Sequence, residues 1–440
     1  MEQTGIAKKL FRGDISVWII FMLLCGFSIV EVFSATSTLA YRYTNIWIPI
    51  TRHATFLLVG FLMILGLVHI NYKYFSLGIL LMPISIILLI FTFMWGIDQH
   101  EATRRLELFG TPFQPSEISK LACIIFVAYY LSIKEKYSYY YILIGVGAVC
   151  GLILPSNLST ALILGTVCFL MLFVGQVPLK KLARLLLVLT VAGTVFFTLL
   201  LTVPADTLGK YLPRALTWQK RVYEFVESIQ KPATNSSNKA TLQTNSDDYQ
   251  VVHAKIAIAR GGIIGKGPGQ SVQRDFLPQA FDDFIYAIII EELGVVGGIV
   301  ILLLYLWLAI RGGIIANQCN NLFAKYLVSG CSLMILIQAL VNMAVAVHLI
   351  PVTGQPLPLI SQGGTSIVVT SLYIGMILSV SIFNAKTQAA ELNQEPQTLD
   401  DSPADNDQSE VQPSPIEVIE STHRSQSQRF GWNTNSGKDV

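Results

Sequence analysis

Between Gly261 and Gly294 the chain reads GGIIGKGPGQSVQRDFLPQAFDDFIYAIIIEELG. A glycine-rich basic loop carrying Lys266 and Arg274 leads to paired aspartates, Asp282 and Asp283, at the mouth of an apolar run that holds Glu291 and Glu292. Carboxylates are costly in a membrane and are usually functional there. An aspartate before an apolar helix can cap it, and one of the pair suffices for that. The other, Asp283, is placed to act as a general base on a hydroxyl at the membrane surface. Glu291 and Glu292 fall about 12 Å deeper at 1.5 Å rise per residue. They suit an internal hydrogen bond or ion pair that positions the helix, or the tuning of a neighbouring acid.

Three other groupings carry possible chemistry. In FQPSEISK (113–120) Pro115 and Ser116 signal a helix start. Glu117 and Lys120 then share one face, as a structural ion pair or as a cation offered to an anion such as pyrophosphate. The adjacent arginines Arg104 and Arg105 read as a binding pair or as headgroup anchors. PVTGQPLPLISQGGTS (351–366) breaks the helical pattern and brings hydroxyls, Thr353 and Ser361 among them, where charges are absent. Such backbone is tolerated at membrane depth when buried in protein or lining a wet cavity, so this segment reads as one wall of a substrate site or as a rigid hairpin. GGIIGKGPG lacks the Ser/Thr that follows Gly-Lys in a nucleotide-binding loop and does not open a helix after a strand. Nucleotide binding is therefore set aside, while Lys266 and Arg274 remain available to an anionic lipid head.

The elements that hold these residues must be membrane helices. The chain has 440 residues, of which 52% are hydrophobic and 13% charged, with mean hydropathy +0.56. Soluble domains carry about 25% charged residues. Runs long enough to span lie near 16–34, 54–71, 75–96, 117–133, 139–154, 158–176, 182–203, 284–309, 325–349 and 363–384. The fold class expected is an all-α polytopic membrane protein of about ten transmembrane helices. Alternate short connections carry Lys and Arg, which puts both termini in the cytoplasm. The expected organisation is a cytoplasmic N-terminus (1–15), a transmembrane domain (16–384) with a large external loop (204–283) between helices 7 and 8, and a disordered acidic cytoplasmic tail (385–440). Six cysteines form no CxxC pair and read as packing residues rather than a disulfide framework or zinc site.

The motifs together resemble one family, the SEDS proteins that include FtsW and RodA. FQPSEISK is similar to that family's FQPSELAK block, the glycine loop and FDDFIYAIIIEELG to LPEAHTDFIFAVIAEELG, and PVTGQPLPLISQGGTS to PTTGLPLPFISYGGSS. FSATS (33–37) is similar to a first-helix motif, and the resemblance covers about residues 10–385. It implies a peptidoglycan glycosyltransferase in the bacterial cytoplasmic membrane that polymerises lipid II, with Asp283 as the catalytic carboxylate. It also implies roles for Arg104, Arg105, Glu117 and Lys120 at the substrate. A divalent cation, magnesium or manganese, is the one cofactor that would fit, and no nucleic acid is expected. The implied partners are a class B penicillin-binding protein transpeptidase and other divisome membrane proteins at the septum. The family's EPDxGT motif reads Pro155-Ser156-Asn157-Leu158-Ser159-Thr160 here, without its two acids. Thr353 in place of the lysine of PTKG leans toward RodA; the long external loop and acidic tail lean toward FtsW, the reading favoured. A RodA-like elongation polymerase, a lipid II flippase or transporter, and a divisome scaffold are the alternatives.

Overall fold

In a bilayer each segment must satisfy its own backbone N–H and C=O groups, so an apolar run of about 20 residues becomes a helix. The computed structural model describes residues 11–39, 47–95, 97–99, 102–108, 111–135, 137–203, 213–230, 246–277 and 283–392. In chain order the elements are α1 (Ile15–Leu39), α2 (Trp47–His69), a 3-10 stretch (Tyr72–Leu80) running into α3 (Leu81–Trp95), strands β1 (Ile97–Gln99), β2 (Ala102–Leu108) and β3 (Thr111–Phe113), α4 (Pro115–Ile133), α5 (Ser138–Ile153), α6 (Leu158–Val174) and α7 (Leu179–Thr202). There follow α8 (Pro213–Gln230), α9 (Ser246–Gly261), a 3-10 turn (Gln273–Asp275), α10 (Ile285–Asn317), α11 (Leu322–Ala346) and α12 (Gly364–Leu392). Among the described residues eight helical segments are long and apolar enough to cross a membrane, and α5 and α6 are shorter apolar helices of 16 and 17 residues. These ten segments fall at the ten expected positions, and the chain is a multi-pass membrane protein.

Helix α11 is the central contact element, packing on α10, α4 and α6. Its start is fixed by Asn321, whose side chain accepts from Phe323 N and Ala324 N at 2.9 and 3.3 Å. Pro115 opens α4, where a missing N–H costs nothing. Exposed apolar side chains cover much of α3 and α7, as expected of faces that meet lipid tails rather than water. All six cysteines are free. Cys319, in the turn between α10 and α11, is pushed up to about 11 by burial, with Lys325 acting the other way, so it stays a thiol at neutral pH.

The structure departs from expectation in four places. A small antiparallel sheet, β1-β2-β3, sits between α3 and α4, which the expected all-α fold class does not contain. The segment 204–283 contains two helices, α8 and α9; α9 is held by packing along α10 rather than by a strong apolar period of its own. Asp283 lies in a turn ahead of α10, whose N-cap position is Phe284, so it is not part of the helix that carries the glutamates. Finally, α12 runs to Leu392, past the expected end at 384. The rest of the expected tail (393–440), the middle of the external loop (231–245) and Asp282 lie outside the described residues.

Candidate active site

Glu117 and Lys120 point inward from the first turns of α4, 4% and 0% exposed, with Lys120 Nζ 2.8 Å from Glu117 Oε1. Lys120 Nζ also donates to Gln338 Oε1 of α11 at 2.9 Å, so the buried cation has both an ionic and a neutral partner. One turn along α11, Asn342 Nδ2 donates to the main-chain carbonyl of Asp283 at 3.0 Å and to that of Gln355 at 2.8 Å. Gln355 Nε2 donates to Thr160 Oγ1 on α6 at 2.8 Å. A single connected set of polar groups thus links α4, α6, α11, the 351–361 segment and the turn that presents Asp283. In a low-dielectric interior a network of this kind fixes geometry when its members are paired.

The 351–361 segment is anchored from several sides. Gln338 Nε2 donates to Pro356 O at 3.1 Å, Tyr305 OH of α10 to Pro358 O at 2.5 Å, Ser28 Oγ of α1 to Ile360 O at 3.2 Å, and Arg221 Nη1 of α8 to Val352 O at 3.0 Å. Ser28 Oγ also shares a hydrogen bond of 2.7 Å with His53 of α2. Ser361 closes a turn from within, its Oγ accepting from Leu357 N at 2.7 Å. These bonds satisfy non-helical backbone at membrane depth, the condition for its being there at all. Ser361 is 1% exposed and shapes this wall; Thr353 lies half-buried on it.

The glycine-rich loop is stapled to α10. α10 breaks at Gly294, with φ 73° and ψ −178°, a region that is essentially glycine's alone. The freed backbone pairs with the loop: Lys266 N and Gly267 N donate to the carbonyls of Glu291 and Glu292 at 3.1 and 2.8 Å, and Val295 N and Val296 N donate to Gly262 O and Ile263 O at 3.0 and 3.2 Å. A Cβ on Gly294 would meet Ile263 O at 2.2 Å, and one on Gly265 would meet Glu292 O at 2.3 Å.

Glu291 and Glu292, both 0% exposed, hold the loop with their side chains as well. Glu291 Oε2 accepts from Ser271 Oγ at 2.5 Å and Gln273 N at 3.2 Å, and Lys266 Nζ lies 3.6 Å from its Oε1. Glu292 accepts from Gly269 N at 2.9 Å, from Ser271 N at 3.4 Å and from Ser34 Oγ of α1. Arg274 Nη1 lies 3.8 Å from Glu292 Oε1 and donates to Ser34 O at 2.6 Å.

The structure therefore sorts the residues singled out in the sequence. Glu117, Lys120, Asp283 and Ser361 are brought to one connected region, with Asp283 9% exposed. Lys266 and Arg274 are directed to the glutamates of α10. Arg104 and Arg105 lie on β2, which packs against α3 and α4; their side chains, like Asp282, lie outside what is described. The sequence reading missed Gln338 and Asn342, the amides that join Lys120 to Asp283. The available signal was two carboxamides four apart in the otherwise apolar run Leu333–Ala346. It also missed Glu31 of α1, 2% exposed and electrostatically facing Glu292. Among the described residues no group of three or more His, Cys, Asp or Glu side chains could hold a metal ion.

Comparison with known proteins agrees with this architecture. The chain is 32% identical over 396 residues, 86% of its length and 92% of the relative's, to a probable peptidoglycan glycosyltransferase FtsW of Bacillus subtilis (strain 168). It is 30% identical to a protein of the same name from Geobacter metallireducens, covering 85% of this chain and 96% of that one. It is 29% identical to the stage V sporulation protein E of B. subtilis, covering 86% and 100%. Among solved structures it superposes with TM-score 0.63 at 24% identity on a chain from a study of polymerization and crosslinking by a peptidoglycan synthase complex, covering 85% of this chain and 99% of that one. With the Thermus thermophilus rod shape determining protein RodA the TM-score is 0.57 at 22% identity, covering 84% and 97%. The family model for the FtsW, RodA and SpoVE cell cycle proteins matches residues 14–386, and the chain belongs to that family.

Proposed function

We propose that this chain is a peptidoglycan glycosyltransferase that polymerises lipid II, the disaccharide of two N-acetylated amino sugars carried on a polyprenyl pyrophosphate. The observation that carries the reading is the connection of Asp283, through Asn342 and Gln338, to the buried Lys120–Glu117 pair. Asp283 is the carboxylate at the turn ahead of α10. It takes the proton from the acceptor sugar's 4-hydroxyl as that oxygen bonds to the anomeric carbon of the growing strand. The bond from that carbon to the pyrophosphate breaks, the configuration inverts, and polyprenyl pyrophosphate leaves. Catalysis by a positioned base contributes about 10²–10⁴-fold.

Lys120 works through structure. It holds Gln338, which with Asn342 sets the 351–361 wall and the Asp283 main chain at fixed separation. Charge stabilisation of the departing pyrophosphate falls to Arg104 and Arg105 on β2. Lys266 and Arg274 secure the glycine loop on α10. The protein is oriented with both termini in the cytoplasm and the Asp283 turn on the outer face of the bacterial inner membrane. There it works at the septum beside a class B penicillin-binding protein that cross-links the strands. The resemblance to FtsW-named proteins over most of the chain supports the division role over elongation. The test is lipid II polymerisation by the purified chain in vesicles, comparing wild type with Asp283→Asn and running a flipping assay on the same vesicles to separate polymerase from transporter.

A further inference from the structure

The first turns of α7 carry three cations that the fold does not neutralise. Lys180, Lys181 and Arg184 open the helix, and none of them has a carboxylate partner among the described residues. The N-cap residue, Pro178, gives no side-chain hydrogen bond, and the first turn holds no acid. The turn before it, Gly175-Gln176-Val177-Pro178, adds none. Cations at the positive end of a helix are unfavourable, so this start is short of negative charge. Lys180 and Arg184 are both exposed and, being four apart, share one face.

The start of α5 lies against these cations. Lys181 Nζ sits 5.2 Å from the centroid of the Tyr139 ring and 5.9 Å from that of Tyr140. Tyr139 OH donates to Lys181 O at 3.4 Å, and Arg184 is near enough to Tyr139 to act on it electrostatically. A cation over an aromatic face is oriented by it and keeps its charge. Tyr140 is 53% exposed, and amphipathic rings of this kind settle at headgroup level. Only Leu182 and Leu200 of α7 are buried, and Leu186, Leu187, Val188 and Leu189 are each more than half exposed. A basic and aromatic patch is thus followed directly by an apolar face that the protein leaves uncovered, which is the order of head and tail in a phospholipid.

We infer that the adjoining starts of α5 and α7 bind an anionic phospholipid, with Lys180, Lys181 and Arg184 taking the headgroup, Tyr140 beside it and the acyl chains along the exposed face of α7. Charge selects the ligand. Each Lys or Arg near an anionic surface adds to the attraction, whereas a zwitterionic head brings a cation of its own toward three others. The bound lipid offsets the charge at the start of α7 and braces a helix whose protein contacts are with α6 and α8. The inference is independent of the glycosyltransferase reading, which concerns the Asp283 turn.

The experiment is native mass spectrometry of the purified full chain in detergent, titrated with phosphatidylglycerol or with phosphatidylcholine of the same acyl chains. Wild type is expected to bind phosphatidylglycerol at least about tenfold more tightly. The double variant Lys180→Gln/Arg184→Gln leaves Lys181 on its tyrosines and removes two exposed cations. It should lose about thirtyfold in phosphatidylglycerol affinity, from about fivefold for each cation, and keep wild-type affinity for phosphatidylcholine. Lys73→Gln/Lys325→Gln removes the same charge elsewhere and should stay within about twofold of wild type. Equal wild-type affinity for the two lipids overturns the site, as does an equal loss in the two double variants, which would indicate a diffuse positive surface. Full displacement of phosphatidylglycerol by millimolar inorganic phosphate would assign the cations to a free anion and overturn the lipid. The wild-type comparison of the two lipids decides by itself if Lys180→Gln/Arg184→Gln does not fold.

Discussion

Lys120 and Gln338 meet at 2.9 Å across α4 and α11, and that contact ties a buried ion pair to the turn presenting Asp283. Gln338 and Asn342 are four residues apart, one helical turn. A shift at Lys120 is therefore transmitted to the Asp283 carbonyl through a rigid helix rather than through a loop.

Breaking the ion pair from one side should cost more than removing it whole. Lys120→Met leaves Glu117 buried and unpaired, and Glu117→Gln leaves Lys120 with Gln338 alone. Each single change is expected to destabilise by about 3–5 kcal/mol. The double variant Glu117→Gln/Lys120→Met should lose less than the sum, since no charge remains to be desolvated. Thermal unfolding of the four proteins in one detergent measures this. Strictly additive losses would show that the two charges are not coupled.

Gly294→Ala should dislodge the glycine loop. The backbone conformation alone costs a non-glycine residue about 1–3 kcal/mol, and the new Cβ would sit 2.2 Å from Ile263 O. Gly193→Ala on α7, where nothing lies within 4 Å, is the control. It is expected to be neutral or to stabilise by up to about 1 kcal/mol. Equal unfolding temperatures for Gly294→Ala and wild type would contradict the docked loop.

Glu292→Ala removes the acceptor for Gly269 N, Ser271 N and Ser34 Oγ at once. A lost hydrogen bond to a charged group is worth about 1.5–3 kcal/mol. The opened population of the loop should then rise about tenfold or more. Limited proteolysis read at residues 262–275 follows that opening; wild-type cleavage rates in the variant would show that Glu292 does not hold the loop.

Much of this architecture was legible in the sequence because the membrane imposes a simple rule. Ten apolar runs gave ten helical segments, with ends displaced by up to eight residues, and the Pro115–Lys120 start of α4 was readable from Pro and Ser alone. What the sequence hid depends on contacts between distant residues. α9 forms against α10, and β2 forms only by pairing with β1 and β3. The Gly294 break is not visible as a break, since Glu291, Glu292 and Leu293 continue a helical pattern up to it. The site shows the same division. The charges Glu117 and Lys120 and the acid Asp283 stand out by type, whereas Gln338, Asn342 and Gln355 do not, and those amides make the connection. Lys266 and Arg274 looked available to a ligand because the glutamates that receive them are 25 and 18 residues away in the chain.

The most direct test of Asp283 as the catalytic carboxylate is the rate of lipid II polymerisation by Asp283→Asn in vesicles. The substitution keeps the side chain's size and leaves the main-chain carbonyl that Asn342 holds. The predicted result is a loss of about 10²–10⁴-fold in rate, with unchanged thermal unfolding and retained lipid II binding. Polymerisation by Asp283→Asn at the wild-type rate would contradict it.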